Sequence, residues 1–202
     1  MQPIVMTPIR KFLFKWRGGL VAPVAVLFLY VAEPTVQSLL AGGLLAMLGE
    51  GLRLWAIGYT GEPTRSQELD APKLITTGPY GLVRNPLYLG NLLNGMAVAT
   101  ASVGGKAPTE GALLWLLAAS FLSFVYSNII ILEQDFLEGE FGDDYALYCQ
   151  TVPALIPLGF KERTLKEIRR GEFSLSRALT FERMTLVWQV LIWAVLLWKA
   201  NI

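Results

Sequence analysis

The stretch GPYGLVRNPLYLG, residues Gly78 to Gly90, stands directly ahead of a long apolar run. Gly78-Pro79 and Asn85-Pro86 are turn formers, and a residue that precedes proline avoids the helical region. The spacing predicts irregular backbone up to Asn85 and a helix that starts near Pro86, since proline is tolerated in a first turn. A plain membrane anchor needs neither Tyr80 and Tyr88 nor Arg84. Irregular backbone at the mouth of a helical bundle exposes amides and carbonyls that need partners, and a polar ligand can supply them. Arg84 is a fixed cation suited to gripping a carboxylate bidentately. The competing reading is an interfacial belt, because tyrosine and arginine commonly anchor helix ends.

Composition sets the solvent in which this stretch works. Of 202 residues 53% are hydrophobic and only 16% charged, against about 25% charged in soluble domains. With a mean hydropathy of +0.47, the chain reads as a membrane protein. It has no histidine and a single cysteine, Cys149. No internal disulfide is possible, and no imidazole is at hand as general base or metal ligand. A zinc site is therefore not expected, and any chemistry must run on carboxylates, tyrosines, amides, arginine or a bound cofactor.

A bilayer core needs roughly 20 apolar residues per helix, and five segments approach that length: Trp16–Ala32, Val36–Thr60, Leu87–Val103, Gly111–Leu132 and a last one from Met184. The expected fold is all-α, a polytopic membrane bundle of about five transmembrane helices. It is read as one domain, 1–202, with an N-terminal segment and hairpin (1–60), a motif core (61–160), a cytosolic or interfacial segment (161–183) and a last helix (184–202). Glu33-Pro34-Thr35 is a tight joint that predicts an antiparallel hairpin of the first two helices. The N-terminal run follows Arg10, Lys11, Lys15 and Arg17 as a signal peptide would, but no A-x-A site follows it, so it is read as a retained helix.

Orientation follows from lysine and arginine. With the N-terminus in the cytosol, fourteen of the seventeen bases fall inside. Lys106 and Lys199 fall outside, and Arg53 lies within a span. Both motif-rich segments then open on the cytosolic face, where a shared pocket meets a soluble cofactor and a membrane-borne substrate. In the segment RTLKEIRRGEFSLSRALTFER, Leu165, Ile168, Leu175 and Leu179 sit among basic residues. It reads either as a solvated helix and turn or as an interfacial helix on anionic headgroups.

The second motif, ILEQDFLEGEFGDDYALYCQTVPALIP, follows the fourth apolar segment. Glu138, Glu140, Asp143 and Asp144 read as solvated acids. Glu133 lies at the membrane boundary, where an ionisable group is costly and usually has a partner. Tyr145 and Tyr148, three apart, share a helical face.

Together the two motifs resemble the isoprenylcysteine carboxyl methyltransferases and phospholipid methyltransferases, whose pattern is roughly G-x-Y-x-x-x-R-H-P-x-Y-x-G, a helix, then E-E-x-x-L-x-x-x-F-G-x-x-Y-x-x-Y and V-P-x-x-x-P. Gly78, Tyr80, Arg84, Pro86, Tyr88 and Gly90 match the first part. Glu133, Leu137, Phe141, Gly142, Tyr145, Tyr148, Val152, Pro153 and Pro157 match the second. The LGEGLRLWA stretch around Arg53 looks like the family's preceding helix, so the likeness runs from about Leu48 to Pro157. It implies S-adenosylmethionine as cofactor and a lipid or lipid-tailed acceptor, in a multi-pass protein of a bacterial inner membrane or an endoplasmic-reticulum-type membrane, with no nucleic-acid partner. It also implies a cofactor pocket lined by Leu74, Ile75, Tyr80, Asn85, Pro86, Leu87 and Tyr88, with Glu133 contacting the cofactor and Arg84, Gln134, Tyr145 and Tyr148 beside it. Glu133 would hold the cofactor's ammonium and Arg84 its carboxylate, with tyrosine faces near the sulfonium.

The sequence departs from that pattern at three places. Asn85 replaces the histidine, Gln134 replaces the second acid, and the arginine that carboxyl methyltransferases carry one turn before the acidic pair is absent from Asn128-Ile129-Ile130. No catalytic side chain is assigned; Arg53 and Asn128 are the candidates. Arg53 lies three residues after Glu50, which favours a mutually neutralising pair that snorkels to the boundary. Two other readings stay open. Sterol reductases, which bind a dinucleotide phosphate, have a similar R-x-P-x-Y turn and an ending like YCQTVPALIP. A catalytically silent binding module of the same fold is the other.

Overall fold

The computed structural model describes residues 8–61, 71–157 and 166–200, Lys11 by its backbone alone. Six α-helices have these ranges among the described residues: α1 (Pro8–Lys15), α2 (Arg17–Val31), α3 (Val36–Thr60), α4 (Pro86–Ser102), α5 (Pro108–Thr151) and α6 (Leu175–Lys199), with a 3-10 turn at Gly78–Gly81 and helical backbone at 166–168. No strand occurs among the described residues. The fold is all-α.

Three helices, α3, α5 and α6, are long and apolar enough to cross a membrane, or four if the pair α1–α2, bent by 67°, counts as one span. The expected five goes beyond this. With 17 residues, α4 covers only about 26 Å at about 1.5 Å per residue, and it carries Asn91 and Asn94 among its apolar residues. Helix α5 does the opposite. Of its 44 residues, those from Pro108 to Phe141, before a kink at Gly142, extend about 51 Å, well beyond a bilayer core of about 30 Å. The apolar part and the Glu133 start of the motif therefore lie on one rod, and Tyr145 and Tyr148 follow the kink at Gly142, whose φ of 53° lies in the left-handed region that favours glycine.

Helix α3 packs most extensively on α4, and small residues permit it. A Cβ added at Gly42 would stand 2.6 Å from the Ala97 carbonyl, and one at Gly49 would stand 2.8 Å from the Gly90 carbonyl. The backbones approach as in small-xxx-small membrane pairs. Here the hairpin expectation changes: α2 and α3 follow each other across Glu33–Thr35, but α2 lies against α4, α5 and α6 while α3 packs on α4 and α6. Thr35 and Ser38 form a capping box at the start of α3.

The last helix begins at Leu175 rather than Met184, with the Ser174 hydroxyl accepting from the Arg177 amide. Leu175 and Leu179 thus belong to a membrane helix and not to a separate surface element. Of the supposed interfacial segment, residues 161–165 lie outside the described residues. The part from Lys166 folds under the end of α3, where Phe173 stacks on Tyr59 at 6.2 Å between ring centres. Arg177 donates to the carbonyls of Gly58 and Tyr59 there, satisfying two of the terminal acceptors of α3.

Candidate functional site

At one end of the bundle, the motif end, the two motifs lock together through backbone and side chain. The Arg84 amide donates to the Pro153 carbonyl at 2.9 Å and the Asn85 amide to the Ala154 carbonyl at 3.1 Å. The Asn85 side-chain amide adds a second bond to Ala154 at 2.8 Å. So the residue in the histidine's place is buried and tied to the backbone, a clasp and not a proton carrier. Pro86 opens α4 in its first turn, as its spacing predicts. Gly78 has a φ of 61° and lies against the Tyr59 ring, leaving no room for a side chain.

Two tyrosine hydroxyls complete the join. Tyr148 donates to the Tyr80 carbonyl at 2.7 Å, and Tyr88 donates to Glu133 Oε1 at 2.5 Å. Tyr145 and Tyr148 are both buried, edge to face, with ring centres 6.1 Å apart. Arg84 and Glu133 both act electrostatically on Tyr145, so the cation of the first motif and the acid of the second share one neighbourhood. Burial raises the Tyr80 hydroxyl above its ordinary range, with Glu133 adding to the shift, so it remains neutral at physiological pH. The buried Nε of Arg84 has no hydrogen-bond partner. A buried guanidinium donor left unmatched is expensive and marks a place where an anionic group fits.

The helix α1 closes one side. Leu13 and Phe14 join Tyr88, Tyr126, Leu122 and Ile129 in a single apolar cluster. Arg17 sits over the Phe14 ring at 4.2 Å and acts on Glu133 through its charge. Leu74, Ile75, Leu87 and Gln134 are half-buried around the same end. Among the described residues Asn128 makes no hydrogen bond to it: its side-chain amide donates to the Phe124 carbonyl of its own helix at 2.8 Å.

Arg53 behaves differently from the self-neutralising pair expected of it. Glu50 lies at 4.0 Å, while Nε and Nη2 donate to Glu182 Oε1 at 2.7 and 2.5 Å. Nη1 donates to Asn91, and Asn94 donates to Glu50 at 3.0 Å. The side chain is 12% exposed and Glu182 is fully buried, so Arg53 does not snorkel. Glu182, Asn91 and Asn94 are what sequence reasoning missed. A signal existed: Glu50/Arg53 and Asn91/Asn94 are two pairs spaced three apart, each on one helical face within an apolar run.

Among known proteins, the chain is 32% identical over 117 residues to the cobalt-zinc-cadmium resistance protein CzcN of Cupriavidus metallidurans. That match covers 56% of this chain and 48% of the relative, so the chain spans about half the length of the curated relative it matches. No solved structure matches it. The family model for phospholipid methyltransferases matches residues 37–144, from the start of α3 to the far side of the Gly142 break. That is just over half of the chain, which belongs to the phospholipid methyltransferase family.

Proposed function

We propose that the protein transfers a methyl group from S-adenosylmethionine to a lipid or lipid-tailed acceptor, at the cytosolic face of its membrane. One observation carries the reading. The motif end holds an unmatched, buried Arg84 donor and the Glu133 carboxylate in one neighbourhood, walled by Tyr80, Tyr88, Tyr145 and Tyr148. This donor set fits the cofactor's own charges. Arg84 would receive its carboxylate, Glu133 its ammonium, and the tyrosine faces would lie toward the sulfonium. When bound, the cofactor supplies an electrophilic methyl group.

The chain's own work is then binding and orientation. Leu74, Ile75 and Leu87 give apolar contact, and the Asn85–Ala154 clasp holds Arg84 and Pro86 in register. Methyl transfer is an in-line displacement, for which fixed positioning supplies much of the rate. The excess of lysine and arginine in the sequence around the two motifs supports a cytosolic position for that end, where a soluble cofactor would arrive from one side and a lipid from the other.

The test is a titration of purified protein with S-adenosylhomocysteine and, separately, with NADPH, followed by thermal shift. Stabilisation by the first alone is expected. Stabilisation by NADPH alone would point to reductase chemistry, and by neither to a silent module. Arg84→Ala and Glu133→Ala each remove a charge-assisted bond, about 1.5–3 kcal/mol, and weaken homocysteine-ligand affinity by about 10- to 150-fold.

A further inference from the structure

Helix α1 has three faces, each suited to a different neighbour. Leu13 and Phe14 are buried and join Tyr88, Tyr126 and Ile129 in one apolar cluster, which fixes α1 against the bundle. Ile9, Phe12 and, just past the helix end, Trp16 follow one another at helical spacing and make a second face. They are 57%, 53% and 54% exposed, and the Phe12 and Trp16 ring centres lie 6.4 Å apart. Such a stripe, unlike scattered apolar residues, asks for something to cover it. Lys15 is exposed and marks the third face, with Lys11 one turn before it in the helix.

Charge narrows what can cover the stripe. The chain carries no acid before Glu33, whereas Arg10, Lys11, Lys15 and Arg17 crowd into eight residues. Helix α5 answers part of this charge. Arg10 stands 3.8 Å from Asp135, and Arg17 acts on Glu133 through its charge. Lys15 forms no ion pair among the described residues. Direction narrows it further. Helix α1 is bent by 67° from α2, nearer to perpendicular than to collinear, so the chain leaves the line of the apolar helix where its bases stand. A hydrocarbon layer suits Ile9, Phe12 and Trp16 but not the bases. Water suits the bases but not the stripe. The headgroup layer of an anionic leaflet suits both.

We infer that α1 lies in the headgroup layer of an anionic leaflet, with Ile9, Phe12 and Trp16 in the upper acyl chains and Lys15 at the phosphates. The interfacial role expected of the 161–183 segment falls to the other end of the chain. Because Leu13 and Phe14 hold α1 to the bundle, α1 also sets the depth at which the motif end meets lipid. None of this rests on methyl transfer.

The test places a small fluorophore on the full chain in nanodiscs, through Phe12→Cys or Lys15→Cys in a Cys149→Ser background. Ile9→Cys serves as a second site on the apolar face. All three label sites are exposed, so the label does not press on the bundle. Lipids brominated at different heights along the acyl chain report depth, and aqueous iodide reports water. Labels at 12 and 9 should lie about 5–10 Å below the headgroup boundary and resist iodide. A label at 15 should be quenched by iodide and hardly by acyl bromine. With brominated phosphatidylglycerol or phosphatidylcholine at equal mole fraction, the label at 12 should report enrichment of the first. Lys15→Gln should cut that enrichment by up to about fivefold, and added salt should cut it as well.

Equal quenching of 12 and 15 by mid-chain bromine would make α1 a continuation of the span and overturn the inference. Ready access of iodide to position 12 would overturn it too, and so would protection of 12 from bromine and iodide alike, the mark of a protein partner. Equal quenching by the two brominated lipids would overturn the selection of an anionic leaflet.

Discussion

The two ends of the bundle treat their polar groups in opposite ways. At the far end Lys106 bonds to Glu33 at 2.8 Å and to Glu110 at 2.9 Å, and Lys199 donates to the Leu29 and Tyr30 carbonyls. The Ser38 hydroxyl reaches Ala101, and the Glu33 amide reaches Ser102, whose own hydroxyl is the exception without a partner. At the motif end and just inside it, Arg84, Glu50 and Gln189 all carry buried atoms left unmatched. Closing a bundle asks only that each polar group find a neighbour, and the far end does that. The motif end forgoes part of that satisfaction, as functional sites commonly do.

The comparison breaks most visibly in the buried network that ties the motif half together. Arg53→Leu leaves the fully buried Glu182 without the guanidinium it accepts from. Removing one partner of a buried ion pair costs about 3–5 kcal/mol, so a large loss of unfolding stability in detergent is expected. Glu182→Gln keeps a hydrogen-bond acceptor and should lose clearly less. A stability unchanged by Arg53→Leu would mean that the network contributes nothing to the fold.

Next in size is the packing seam. Gly49→Val sets a Cβ 2.8 Å from the Gly90 carbonyl and 2.5 Å from Asn94 Oδ1, and overpacking of this kind costs about 1–3 kcal/mol. Gly43→Ala, on the same helix but over open space, should be neutral or gain up to about 1 kcal/mol from helix propensity. Thermal unfolding of the pair sharpens the map of which α3 glycines serve close approach.

A third contrast separates ligand from fold. Arg84→Ala should leave thermal stability of the free protein within about 0.5 kcal/mol, since its Nε has no protein partner to lose, while S-adenosylhomocysteine affinity falls as stated above. If Arg84→Ala unfolds the protein and spares binding, the motif end is scaffold and not site.

Much of this division was legible in the sequence. Pro86 marked the start of α4, α3 was bounded at Val36 and Thr60 as its apolar run indicates, and the two motifs announced themselves by spacing. The start of α6 was not legible, because Arg177, Glu182 and Arg183 look like a cytosolic run until Glu182 is seen paired with Arg53. Charge read residue by residue marks solvent; charge read in pairs marks a buried bond. Arg53 was misjudged for the same reason. Its nearest acid in sequence, Glu50, is the weaker of its two acidic contacts in space, and the stronger one comes from 129 residues away. Asn85 was visible as a departure from the family pattern, but its use depended on the Pro153–Ala154 segment folding back, which spacing alone does not encode.

The smallest effect belongs to the far end, and its pH dependence tells what kind of bond holds it. Hydrogen bonds to Glu33 and then Glu110 raise the Lys106 ammonium above its ordinary value. A group whose value is raised on folding contributes stability that is fully present below the unfolded-state value and disappears as pH rises through the folded one. Lys106→Met should therefore lower the melting temperature slightly and by a constant margin from neutral pH to about pH 10. Above that the margin should close, as the wild-type lysine loses its proton. The ion pairs lie at a water-facing end, so added salt should shrink the same margin at neutral pH. A margin that ignores both alkali and salt would show that the lysine's hydrocarbon stem, and not its charge, holds Glu33 and Glu110 together.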